Sequence, residues 1–147
     1  MFTAAPAIKA YLVDAFAAEA GVGGTLEGVQ VAYSWPKSEP TWETIVVGES
    51  ESTFTPRAMR PGPTRAREEE LRVMVHLVAF TRDGNAQAAT ERAFALMEAV
   101  EAIIRDDPTL GGNVTVSDIA ELDLQEGVTG GIRQAYLLLT VGARAHH

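Results

Sequence analysis

Apolar positions along this chain switch between two periods. From residue 4 to about 20, Ile8, Leu12, Ala15 and Phe16 recur at helical spacing, while Lys9, Asp14 and Glu19 fall off that stripe. The pattern predicts an amphipathic helix packed on one side. Thr3 stands where a cap is expected, Pro6 is tolerated in a first turn, and Gly21, Gly23 and Gly24 mark the end. The period then drops to two. In GVQVAYSWP, Val29, Val31, Tyr33 and Trp35 alternate with Gln30, Ala32 and Ser34, the signature of a half-buried strand. The short β-branched run ETIVVGE predicts a second strand. In ELRVMVHLVAFTR, Leu71, Val73, Val75, Leu77 and Ala79 form one face, and Arg72, Met74, His76, Val78 and Phe80 the other. That second face is mixed rather than polar, so it is expected to be partly covered, by the protein itself or by a partner.

Helical spacing returns over residues 85 to about 105. Asn85 is placed to cap it, and Ala89, Ala93, Leu96, Met97, Val100, Ile103 and Ile104 form a continuous stripe. Glu101 and Arg105 stand at i, i+4, where they can pair on the rim. Two alternating runs close the chain, NVTVSDIAELDL and IRQAYLLLTVGAR, joined by the glycine-rich QEGVTGG. The order is α-β-β-β-α-β-β. It predicts an α/β (α+β) fold with one sheet of about five strands and both helices on one face. No repeat or shift in composition divides residues 1–147, so one domain is expected.

Composition narrows the function. At 147 residues with 46% apolar side chains, the chain can bury about 68–70% of its extended surface without a disulfide or metal. Cysteine is absent, which removes disulfides, thiolate metal sites and cysteine nucleophiles together. The formal net charge of −8 disfavours general nucleic-acid binding, because such a surface repels phosphate. No basic segment precedes an apolar core at the N-terminus, and no run approaches the roughly 20 apolar residues of a membrane span. His146 and His147 are compatible with a native end or a tag stub, and nothing is read from them.

Asp106 and Asp107 fall in AIIRDDPTLGG, where helical periodicity ends, Pro108 blocks continuation and Gly111–Gly112 permit a turn. Adjacent aspartates there read as a solvated helix stop, without a third partner to converge on a substrate atom. Glu68, Glu69 and Glu70 would alternate across a strand rather than converge on a cation, and read as a solvated strand entry. His76 has neither a second histidine nor a placed carboxylate in the sequence, and reads as structural. The GVGG stretch follows a helix and lacks the Lys-Ser/Thr of a nucleotide loop, and no GxSxG, HExxH or EF-hand pattern occurs. No catalytic, cofactor-binding or metal-binding residue is expected, and the chain is read as no enzyme.

The unusual stretch is residues 50–67, SESTFTPRAMRPGPTRAR. It holds three prolines, the apolar Phe54 and Met59, and Arg57, Arg60, Arg65 and Arg67, four of the chain's twelve basic residues. Connections longer than about 12–15 residues are uncommon in compact domains and usually functional or disordered. Folded back on itself, an arm of this length reaches roughly 30 Å. A positive arm on an acidic body is complementary to another copy of that body, and head-to-tail contacts of this kind make rings when the rotation closes. Phe54, Arg57, Met59, Arg60, Arg65 and Arg67 are therefore the expected inter-subunit or tube contacts; a solvated loop is the alternative.

Taken in order, AIKAYLVDAFAA, GVQVAYSWP, ETIVVGE, a variable arm, REEELRVMVHLVAF, a long helix ending in DDPTLGG, VTVSDIAELDL and GGIRQAYLLLTVGAR span nearly the whole chain. This series resembles the tail terminator (tail completion) proteins of long-tailed bacteriophages and related tail-like particles. The resemblance implies a helices-on-sheet fold without catalytic residues or cofactor. It implies a ring, commonly a homo-hexamer, that caps the tail tube, stops its polymerisation and offers a joining surface to the head or neck. The implied partners are copies of itself, the tail tube protein and a head/neck connector protein. The implied place is the head–tail junction of the virion, after assembly in the host cytoplasm. DNA would pass the lumen without specific binding, since six copies at −8 apiece carry −48 and like charges repel. Two other readings stay open: another neck or tail tube-related protein, and a cellular small-molecule-binding or enzymatic α+β domain using the mixed face around Arg72, His76 and Phe80.

Overall fold

A computed structural model describes residues 3–36, 43–56, 67–81, 85–129 and 132–147. In chain order the elements are α1 (Ala5–Glu19), β1 (Gln30–Ala32), β2 (Thr44–Pro56), β3 (Arg67–Thr81), α2 (Ala86–Asp106), β4 (Val116–Thr129) and β5 (Ile132–His146). This is the expected order. The strands form one sheet, β1-β2-β3-β5-β4. β1 runs parallel to β2, and every other pair is antiparallel.

Both helices cover the same face. Ile8, Leu12 and Phe16 of α1 and Ala89, Ala93, Leu96, Val100 and Ile104 of α2 share one core with Leu71, Val73, Val75, Leu77 and Ala79 of β3. β5 adds Ala135, Leu137, Leu139 and Val141 to the same core. Ile8, Leu12 and Phe16 are fully buried, and burial of such a side chain is worth about 1.5–3 kcal/mol. The α2 stripe is as expected, and Asn85 caps it by accepting the Ala88 N–H at 3.1 Å. Glu101 and Arg105 pair on the rim.

The strands depart from expectation at three places. The strand in GVQVAYSWP is only Gln30–Ala32, because the chain bends at Tyr33 and Ser34 and carries Trp35 across the helix-free face. β2 and β3 are longer than their apolar runs. They stay paired from Thr44↔Val78 out to Pro56↔Arg67, so Ser50–Pro56 and Arg67, expected in an arm without periodicity, are strand. Backbone pairing continues there although the β2 side chains from Glu49 outward are mostly exposed, which is why hydrophobic alternation did not reveal it. At the far end, β4 and β5 pair to Thr129↔Ile132, so most of QEGVTGG is ladder rather than loop.

The capping of α1 is also different. Ala4 is the N-cap residue and has no side chain to offer. Thr3 Oγ1 accepts the Ala5 N–H at 3.2 Å, and the Ala4 N–H goes to Glu69 Oε1 at 2.9 Å. A carboxylate 65 residues away thus serves the helix start, satisfying donors that a helix cannot satisfy itself.

Candidate functional site

The helix-free face of the sheet carries the buried His76 and its polar partners. A register shift between Val47 and Ser50 sets Gly48 and Glu49 in a bulge on β2, a device that re-aims side chains. Gly48 lies against the His76 ring: a Cβ there would stand 2.8 Å from Nε2. Glu49 is thereby turned toward His76, with its carboxylate 3.4 Å from Nε2. His76 Nδ1 shares a hydrogen bond with the Tyr136 hydroxyl of β5. With Nε2–H facing Glu49, Nδ1 is left to accept from the tyrosine, so one tautomer satisfies both contacts. Trp35 covers the pair, 4.9 Å from the His76 ring centroid and stacked over Tyr136 at 6.3 Å. His76 is only 4% exposed.

The electrostatics keep this group closed. Glu49 lies below its ordinary pKa through its own backbone N–H, against burial and with help from His76. Burial, then Glu49 and Asp123, push the Tyr136 hydroxyl up, so it stays protonated. The carboxylate absent from the sequence reading of His76 is therefore Glu49, 27 residues away and delivered by the bulge. Among the described residues, no further polar side chain meets the tyrosine hydroxyl. What the arrangement does is pin Trp35, β2 and β5 to β3. The cover expected on the mixed face is thus supplied in part by the protein itself.

About 13 Å along β3 from His76, the same face opens into a groove of about 320 Å³ lined in part by Glu70, Arg72, Asp118, Glu121 and Arg144. Arg72 Nη2 pairs with Glu121 at 2.5 Å, while its buried Nε has no hydrogen-bond partner among the described residues. Arg144 lies 3.7 Å from both Glu68 and Glu70. Phe80, at the other end of the strand, does not join the groove. Three acids and two arginines line its walls.

The remaining sequence candidates resolve individually. Asp107 is not merely a solvated helix stop. It accepts from Thr109 Oγ1 at 2.7 Å, Gly111 N at 2.9 Å and Tyr11 Oη at 2.9 Å. Those bonds, led by Thr109, hold its carboxyl below the usual range, and Tyr11 is pushed up first by burial and then by Asp107. The residue shapes the DPTLGG turn and ties it to α1. Gly111 stands at φ +74, which strains any side chain, and a Cβ there would lie 3.0 Å from the Tyr11 ring.

Glu69 is fully buried, which corrects the solvated reading of the acidic triplet. Thr3 donates to Oε2, and His147 Nε2 lies 2.8 Å from Oε1. Burial alone would raise its pKa. Hydrogen bonds from Thr3, Ala4, His147 and Ser52 outweigh burial and hold it down.

Of the arm residues, Phe54 is half-buried on β2 and Arg67 of β3 stacks over its ring at 5.0 Å. Arg57, Met59, Arg60 and Arg65 lie outside the described residues. Among the described residues, no group of three His, Asp or Glu side chains is placed to hold a metal, and no helix is long and apolar enough to cross a membrane.

No protein-family model and no curated protein sequence matches this chain. Among solved structures it is similar to a chain in the virion of a native gene transfer agent particle, with 10% identity and a TM-score of 0.49 over 99% of this chain and 100% of that one.

Proposed function

We propose that this protein is a non-enzymatic virion component, a tail terminator whose copies close into a ring on the end of a tail tube. The ring ends tube polymerisation and presents the surface that the head or neck engages. The sequence resemblance supplies the role. The observation that supports the reading on physical grounds is the uneven spread of charge along the chain, with four arginines and no acid between residues 57 and 67 of an otherwise acidic sequence. β2 and β3 run on as a paired extension to Pro56 and Arg67, and the chain between them contributes Arg57, Arg60 and Arg65 with no acid. The body that bears this extension is acidic. Such a molecule is complementary to its own copies and to a tube subunit of like charge. DNA leaving through an acidic ring would slide without adhering.

Charge reversal of Arg57, Arg60, Arg65 and Arg67 to glutamate is expected to abolish ring assembly and tail joining. Particles that still assemble and join heads normally would remove the arm from this account. A second reading, a ligand-binding or enzymatic α+β domain, has the Glu49–His76–Tyr136 chain in its favour. Turnover or saturable ligand binding lost in His76→Gln and Tyr136→Phe would establish it.

A further inference from the structure

We propose that Trp35 and Glu49 form a docking site for an arginine side chain presented by a different protein. This contact is separate from the ring proposed above and does not require it.

Trp35 is a fixed platform. The chain leaves the sheet after Ala32 and bends at Tyr33 and Ser34, which lays the indole against the His76 ring at 4.9 Å and beside Tyr136 at 6.3 Å. His76 is held in turn by Tyr136 and Glu49. Trp35 is nonetheless 45% exposed. A large aromatic side chain that is already immobilised loses little freedom when a partner lands on it, and such residues anchor protein contacts.

Other rings at the surface are occupied from within the chain. Lys9 Nζ stands over Tyr33 at 4.3 Å, and Arg67 over Phe54 at 5.0 Å. Among the described residues no cation lies over Trp35, although indole is the ring that attracts one most strongly.

Glu49 supplies the charge. Its side chain is 62% exposed, and each carboxylate oxygen stands 3.4 Å from His76 Nε2. That is longer than the roughly 2.7–2.9 Å of a strong charge-assisted bond, so acceptor capacity is left over. Its own backbone N–H leads the effects that hold its carboxyl below the ordinary range, and it is ionised at neutral pH. Lys9 adds to this from a distance, its ammonium being placed over Tyr33.

Carboxylate and indole rest on the same imidazole, so one side chain can meet both. A guanidinium stacks its face on an aromatic ring and offers paired N–H groups along its edge to a carboxylate, whereas an ammonium has no face to stack. Every basic side chain among the described residues is already engaged. Arg72, Arg92, Arg105 and Arg144 face carboxylates, Lys9 and Arg67 lie over rings, and Arg133 is not free. The described surface of a second copy therefore has no arginine to give, and a different protein is the source.

Acetylated and amidated glycyl-arginyl-glycine, and its lysine counterpart, are titrated against the full chain carrying Trp42→Phe, so that Trp35 alone reports by fluorescence. A saturable change is expected with the arginine peptide, about fivefold weaker with the lysine peptide. It should be lost in Glu49→Gln and kept in Glu51→Gln, an exposed acid further along β2. No saturation, equal binding of the lysine peptide, binding unchanged in Glu49→Gln or binding lost in Glu51→Gln overturns the site. If circular dichroism shows that Glu49→Gln does not fold, Glu49→Asp, which keeps the charge but withdraws the carboxylate, replaces it and should bind about fivefold more weakly. Native mass of wild type and Glu49→Gln is compared in parallel. The same species in both supports a different protein as donor. Self-association lost only in Glu49→Gln makes the donor a second copy and overturns that assignment.

Discussion

Glu69 shows how much one side chain contributes when it is buried with its partners. It serves the first turn of α1, the C-terminal His147 and the β2 strand together. Glu69→Ala leaves those donors without an acceptor and is expected to cost about 2–3 kcal/mol, read as a lower urea midpoint. The pH dependence has a definite sign. Its folded pKa lies below its ordinary value, so its contribution is complete above the unfolded pKa and disappears as pH falls through the folded one. Between about pH 5 and pH 3, Glu69→Gln should flatten the wild-type loss of stability. An unchanged slope would mean the carboxylate is not held as described. At the helix-free face, Tyr136→Phe leaves His76 Nδ1 buried without a donor and should cost about 1 kcal/mol in the same assay, with no change in far-ultraviolet circular dichroism.

At the scale of elements, the period of apolar residues was a good guide wherever a core lay beneath it. α2 was legible to its cap, and Asn85→Ala should lower stability by about 1 kcal/mol, seen in thermal unfolding. Periodicity was a poor guide where backbone pairing outruns burial. Ser50–Pro56 looked like an arm because its side chains are exposed, yet it is bonded to β3 throughout. The reverse error occurred at Tyr33 and Trp35, which alternate like a strand but leave the sheet after Ala32. Contacts across long separations left no local mark. Glu69 read as solvated because its partners Thr3 and His147 stand at opposite ends of the chain. His76 read as isolated because Glu49 reaches it only through a bulge. Asp107 gave a partial signal, since a turn was evident in DPTLGG, whereas its bond to Tyr11 was not.

On the scale of the whole molecule, the fold leaves its chemistry closed and its margins open. The polar side chains of the helix-free face satisfy one another at Glu49, His76 and Tyr136, while among the described residues the outer side of β4 and of Ser50–Pro56 carries no strand. The proposed acidic ring should fail to retain duplex DNA in a filter-binding assay at about 0.15 M salt. Salt-dependent retention would contradict the sliding role. The account depends most on assembly. Native mass spectrometry of the purified chain, alone and with tube subunits of the proposed particle, tests it most directly. A closed species at one fixed multiple of the 15.7 kDa chain, formed or stabilised on the tube, is predicted. A monomer that ignores the tube at every concentration would contradict it.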